Sequence, residues 1–382
     1  MSKYPIYLDY NATTPCDPQV LETMLPFFSQ HFGNASSKAH AHGWHAEDAV
    51  SQAREQVASL IGADQKEIIF TSGATESVNL AIQGLAQQQT IRGKHIITVA
   101  TEHKAVLDVC AHLQGQGYEI TYLPVDAFGM ISLALLEDSI RKDTILIAAM
   151  YANNETGVIH PVADIGRIAQ KHSIPFICDA TQAVGKIPVD VYADGIDMMA
   201  FSAHKMYGPK GVGALFIKKR NPLLDISPLV FGGGHERKLR SGTLNVPGIV
   251  GMGKAAELCN SMMASEAKRM GELRDYFWQE IGSIQGVKWN GQKSHSLPHV
   301  ANICFNMDGG DKLIKMLSKY MSVSSGSACS SAAVEPSHVL KAMGLSDAKA
   351  HSSIRFSLGR FTTLQEISTA IEELKKALLR LS

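Results

Sequence analysis

The sequence predicts an α/β fold, with a large domain built on a mostly parallel sheet and a smaller α+β domain after it. Three observations carry this. Short β-branched runs alternate with longer helical stretches through the first two thirds of the chain, as in a parallel sheet covered by helices. The runs are continuously apolar rather than alternating, the pattern of strands buried on both faces. The length, 382 residues, suits about two domains and a core that needs no disulfide or structural metal.

In chain order the predicted strands are EIIFT at 67–71, HIITV at 95–99, TILIAAM at 144–150, IPFIC at 174–178, DMMAF at 197–201 and GALFI at 213–217. They place the large domain at residues 16–255. From Val246 a helical pattern runs to about Ile281 and connects to the second domain, where strand-like segments at 300–305 and 353–358 mix with helices. Residues 1–15, rich in turn formers, are assigned with 256–382 to the small domain. No repeat and no low-complexity tract occurs.

Charge narrows the function. The chain carries 36 Lys+Arg against 36 Asp+Glu, a net charge of zero. Without surplus cations to neutralise phosphates, a direct nucleic-acid partner is excluded, whereas a small anionic ligand is not. No apolar run approaches the ~20 residues of a membrane span. The start MSKYPIYLDY has no basic-then-apolar signal pattern, and the six cysteines are scattered without a CxxC pair. A reducing, cytoplasmic setting follows as the expectation.

In an open parallel sheet, ligands bind outside the carboxyl ends of the strands. The first predicted strand is followed by TSGATES at 71–77 and a helix, which offers Ala74, Thr75 and free backbone N–H groups to a phosphate. An ordinary Ser/Thr cap would look the same. Later strands end in TEHK at 101–104, YANNE at 151–155 and DATQ at 179–182, and the fifth runs into SAHKMYGPKG at 202–211. An aspartate after an apolar strand needs a partner, and a protonated ring nitrogen is a suitable one. A lysine in a dry pocket or beside other cations becomes a nucleophilic amine suited to a Schiff base.

Taken together, these strand ends describe a pyridoxal 5'-phosphate site: Lys205 forms the aldimine, Asp179 pairs with the pyridine nitrogen, His103 covers the ring and the residues around Thr75 hold the phosphate. A nicotinamide dinucleotide site is disfavoured because no GxGxxG follows a first strand. Three histidines, His40, His42 and His45, fall within six residues, but without accompanying carboxylates they are read as solvent-facing, and no metal site is assigned. Cys329 lies among small residues in SSGSAC at 324–329, a composition that predicts a mobile loop, so its thiol can reach a substrate; the other five cysteines sit in or near apolar or helical segments and are read as packing thiols.

These motifs, with LDYNATTP at 8–15, NNETG at 153–157, GGGHE at 232–236, RSGT at 240–243 and HSSIRFSLGR at 351–360, resemble the cysteine desulfurases of the NifS/IscS type. Those enzymes belong to the class V group of the pyridoxal phosphate aminotransferases, fold type I. The likeness spans essentially the whole chain in order. It implies that Lys205 is the cofactor lysine, that Asp179 and Gln182 serve the ring nitrogen and ring hydroxyl, and that Ala74, Thr75, Ser202, Ala203 and His204 form the phosphate and lysine-flanking contacts. By the same likeness Asn154 contacts cofactor and substrate, Arg355 receives the substrate α-carboxylate, and Thr243 is a phosphate ligand supplied across a homodimer interface. Cys329 is the implied nucleophile that takes sulfur from L-cysteine as a persulfide, leaving L-alanine, while His103 handles protons at the substrate thiol. The implied recipient is a sulfur-acceptor protein such as an iron–sulfur scaffold.

The sequence departs from the family pattern at Ala35 and Ala203, where proline and glycine are frequent. It also ends at Ser382, short of the C-terminal segment that docks the scaffold in iron–sulfur members, so another dedicated acceptor stays open. A selenocysteine lyase would keep the same cofactor residues without needing Cys329.

Overall fold

The computed structural model describes residues 5–219, 224–305, 310–325 and 335–381. Cys329 lies outside the described residues. The strands are β1 (Ile6–Tyr7), β2 (Ile68–Thr71), β3 (His95–Val99), β4 (Glu119–Leu123), β5 (Thr144–Ala148), β6 (Phe176–Asp179), β7 (Met198–Ser202), β8 (Gly213–Ile217), β9 (Val287–Trp289), β10 (Val300–Phe305), β11 (Met321–Ser322) and β12 (Ser353–Ser357). Seven of them form one sheet in the order β2-β8-β7-β6-β5-β3-β4, in which β8 alone runs opposite to its neighbours.

The continuous apolar runs have the predicted cause. In β2, Ile68 and Phe70 enter a core on one face while Ile69 enters a second core on the other; in β7, Met199 and Phe201 face the first and Met198 and Ala200 the second. Side chains still alternate with period two, but both faces are covered, so every position is apolar.

One strand escaped the sequence pattern. β4 reads Glu-Ile-Thr-Tyr-Leu and is partly exposed at the sheet edge, so only part of its surface needs apolar residues. β9, of three residues, and the paired β1 and β11, of two each, are too short to give a periodic signal.

The helix Val246–Ile281 is the predicted connector. Asn245 Oδ1 caps it by accepting the Gly248 N–H at 3.1 Å. Its first half, through Ala255 and Cys259, belongs to the first core, whereas Leu273, Phe277 and Ile281 pack in a third core with β10, β12 and the C-terminal helix Leu364–Leu381. β12, β10 and β9 form an antiparallel sheet there.

Leu8 sits in this third core, and its backbone ties two elements together: its N–H donates to Ser322 O (2.9 Å) and its carbonyl accepts the Ser357 N–H (2.8 Å). The chain then crosses to the large sheet, where the Thr14 N–H donates to His204 O (2.9 Å) and the Asp17 N–H to Tyr207 O (2.9 Å). The N-terminal segment thus passes over the carboxyl ends of the central strands. Among the described residues no helix is long and apolar enough to cross a membrane.

Candidate active site

A cavity of about 590 Å³ opens where the N-terminal segment crosses the strand ends. It is lined by Ala74 and Thr75 after β2, His103 after β3, Asn154 after β5, Asp179 and Gln182 at and after β6, Ser202, His204 and Lys205 at and after β7, and Arg355 from β12. Ten of the predicted site residues therefore meet in one place. Ala203 is fully buried and does not line the cavity, and Thr243 is exposed on the surface outside it.

The helix Ala74–Gln88 points its N-terminus into this cavity. Glu76 Oε2 accepts the Ser72 N–H at 2.7 Å, so that donor of the loop is spent on the helix's own first turn. The backbone N–H groups of Ala74 and Thr75 meet no acceptor among the described residues. They remain available to an anion, and the helix dipole favours one there. His204 adds a polar group: burial, with help from the charges of Lys205 and Lys210, pushes its imidazole down to about 4, so it is neutral and hydrogen-bonded to Thr13 Oγ1 at 3.0 Å.

Asp179 is buried, and its Oδ1 accepts both the Thr181 N–H (3.0 Å) and the Thr181 hydroxyl (2.5 Å). Its Oδ2 is left for a ligand. Glu102, fully buried behind it, accepts the Met150 N–H through Oε1 at 2.5 Å, while Oε2 meets no donor. Burial first and the Asp179 charge second push the Glu102 carboxyl well above its ordinary range. Of the two carboxyls, Glu102 therefore keeps its proton.

Lys205 Nζ donates to the backbone carbonyls of Asn11 (2.5 Å) and Ala12 (2.7 Å). Asn11 itself is buried; its carbonyl also accepts from Gln182 Nε2 (3.1 Å), its Nδ2 donates to Asn154 O (2.9 Å) and its Oδ1 accepts from His299 Nε2 (2.9 Å). Arg355, on β12, donates through NH1 to Asn154 O (2.8 Å) and through NH2 to Asp9 Oδ1 (2.7 Å). The strand-end pattern does not point to Asp9, Asn11 or Ala12; for Asn11 and Ala12 the turn-forming run at 11–15 is the available sequence signal.

His103 has a second task that its sequence position did not reveal. It caps the helix Lys104–Gly115, its Nδ1 accepting the Ala105 N–H at 3.1 Å. That bond needs Nδ1 unprotonated, so the ring proton resides on Nε2 and is offered to the cavity.

The thiols outside the 326–334 stretch are poor nucleophiles. Cys110, Cys178, Cys259 and Cys304 are buried, and burial pushes all four thiols up, Cys110 to about 12. Cys16, half-buried, is shifted up for the same reason. Among the described residues no group of three or more His, Cys, Asp or Glu side chains is placed to hold a metal ion. His45 instead stacks on Phe27, and His40 caps a helix.

Glu155, beside Arg355, is fully buried and accepts the Ser337 hydroxyl through Oε2 at 2.5 Å. Burial raises its carboxyl to about 7. Below its ordinary value of 4.5 the folded and unfolded chains both hold this proton; above it only the folded chain does, so stability falls as pH rises towards 7. Glu155→Gln removes that dependence. Between about pH 5 and about pH 8 the variant should gain on the parent by on the order of 2 kcal/mol in urea unfolding; parallel pH curves for the two proteins would contradict the assignment.

Three comparisons bear on this site. Residues 6–369 match the family model "Aminotransferase class-V". The chain is 54% identical over 370 residues to "Cysteine desulfurase IscS" of Anaeromyxobacter dehalogenans, covering 97% of this chain and 91% of the relative. It is 52% identical over 381 residues to the protein of the same name from Escherichia coli O139:H28, covering 99% and 94%. Among solved structures it is similar to a "NIFS-LIKE PROTEIN", with a TM-score of 0.91 at 38% identity over 99% of this chain and 100% of the other. It also resembles "SspA in complex with cysteine", with a TM-score of 0.84 at 39% identity over 94% and 100%.

Proposed function

This chain belongs to the class-V aminotransferase family and acts as a cysteine desulfurase, and on that premise we propose how its residues divide the work of taking sulfur from L-cysteine. The family's cofactor is pyridoxal 5'-phosphate. The observation that carries the reading is the meeting of Lys205, Asp179, His103 and Arg355 in one cavity beside unpaired helix N–H groups.

The fit to the cofactor rests on unspent donors and acceptors. The N–H groups of Ala74 and Thr75, with Ser202 and His204 alongside, would hold the phosphate; Asp179 Oδ2 would accept from the ring nitrogen, His103 would cover the ring, and Gln182, whose Nε2 is spent on Asn11, would serve the ring hydroxyl. Lys205 is the attachment point. When bound, pyridoxal phosphate supplies an electron sink that labilises the bonds at the substrate α-carbon.

The remaining steps belong to the protein. Arg355 holds the substrate α-carboxylate through its remaining terminal N–H groups, and Asn154, whose carbonyl anchors the guanidinium, lines the cavity beside it. Lys205, its amine held at the rim by the carbonyls of Asn11 and Ala12, would take the α-proton. His103 offers its Nε2 proton at the substrate sulfur. Cys329 attacks the substrate sulfur as its bond to the β-carbon breaks; the electron pair of that bond stays with the carbon skeleton, which is protonated and leaves as L-alanine, the sulfur remains on Cys329 as a persulfide, and an acceptor such as an iron–sulfur scaffold collects it.

Thr243 faces solvent rather than its own cavity, which supports its assignment to the phosphate of a second subunit in a homodimer. The reading is tested by incubating the purified protein with pyridoxal phosphate and L-cysteine. Equimolar L-alanine, with one extra sulfur atom on the protein before any reductant is added, is the expected result. Pyruvate and ammonia in place of alanine would overturn it.

A further inference from the structure

We infer that Asp9 is a positioning residue that aims the Arg355 guanidinium at the substrate carboxylate; this rests on the reading above that Arg355 is the carboxylate receptor. Both side chains are largely buried, Arg355 at 4% and Asp9 at 16% exposure, and they pair at 2.7 Å. A guanidinium has five N–H groups. Here NH2 gives one to Asp9 Oδ1 and NH1 gives one to Asn154 O, while Nε–H meets no acceptor. One N–H on each terminal nitrogen is left for a carboxylate, and Arg355 borders the cavity.

Asp9 is itself rigidly placed. It pairs with Ser357 in a parallel bridge, the flanking Leu8 carbonyl accepts the Ser357 N–H at 2.8 Å, and the Tyr10 N–H donates to Ser357 O at 3.2 Å. Ser357 and Arg355 lie two residues apart on β12, hence on the same face. The N-terminal segment is therefore registered against the strand that carries the arginine.

The alternative partner for that arginine is Glu155, whose buried carboxyl feels the Arg355 charge and is otherwise held by Ser337. Without Asp9, a buried guanidinium with one remaining anchor is drawn towards Glu155 and away from the cavity. Asp9 thus sets which of two carboxyl neighbours orients the fork. Because Asp9 does not line the cavity, its effect should fall on carboxylate recognition alone.

The test uses two inhibitors of L-cysteine turnover by the holoenzyme. 3-Mercaptopropionate carries thiol and carboxylate without the amine; cysteamine carries thiol and amine without the carboxylate. Asp9→Ala should raise KM for L-cysteine and Ki for 3-mercaptopropionate about tenfold together, leaving kcat within about twofold and Ki for cysteamine unchanged. Asp9→Asn, which keeps the acceptor oxygen and the fold without the charge, should shift the same two constants less and in the same direction. If both inhibitors weaken equally, or KM stays constant, the inference is wrong. Arg355→Ala separates the two levels: no change in 3-mercaptopropionate inhibition there would overturn the assignment of Arg355 itself, whereas loss of inhibition there with none in Asp9→Ala would overturn only the role of Asp9.

Discussion

Lys205→Ala is expected to abolish alanine formation, with kcat falling on the order of 10⁴-fold or more, because in the proposed mechanism Lys205 is both the attachment point and the base for the α-proton. The amine stands at the rim between β7 and the N-terminal segment, with the carbonyls of Asn11 and Ala12 as its acceptors. A second lysine, Lys210, also lines the cavity, and it provides the sharpest control. Borohydride reduction of the holoenzyme followed by peptide mass analysis should find the cofactor on Lys205, and Lys210→Ala should still be labelled there. Label on Lys210, or a Lys205→Ala protein that retains the visible absorbance of lysine-bound cofactor, would refute the assignment.

The second large effect concerns sulfur. Cys329→Ser should bind pyridoxal phosphate and L-cysteine as the parent does, yet form no persulfide and lose alanine production by about a thousandfold, a barrier increase of about 4 kcal/mol. The five other thiols offer no substitute. Four are buried, all five are shifted up by burial, and none lines the cavity. Replacing Cys110 or Cys259 should leave persulfide formation intact. Extra sulfur on the Cys329→Ser protein after cysteine alone would move the nucleophile elsewhere.

Much of this site is legible from sequence because in a parallel sheet each strand delivers its terminal residues to the same edge. Once β2, β3, β5, β6 and β7 are recognised as apolar runs, the polar groups after them must converge, and Thr75, His103, Asn154, Asp179 and Lys205 do. The same logic fails for β4, an edge strand that is only part-buried, and for the two-residue strands β1 and β11. It also fails for capping. The bond from the Ala105 N–H to His103 Nδ1 that fixes its tautomer depends on local backbone angles, and the Ser72 N–H taken by Glu76 depends on the side chain turning back on its own helix.

By itself the sequence determined six of the seven strands of the large sheet, the order of their polar ends, the cofactor class that those ends describe, and, through its resemblance to known enzymes, the reaction. These follow from periodicity and from short motifs, in which neighbouring residues carry the information. Only the tertiary structure decided what holds the working groups in place. Asp9 meets Arg355 across 346 positions, Asn11 meets Lys205 across 194, and Ser337 meets Glu155 across 182. Such pairs leave no local pattern, because their partners are brought together by tertiary packing, that of the N-terminal segment for the first two, rather than by spacing along the chain. The same holds for Glu102 and Glu155, whose weakened acidity comes from burial that no single stretch of sequence specifies.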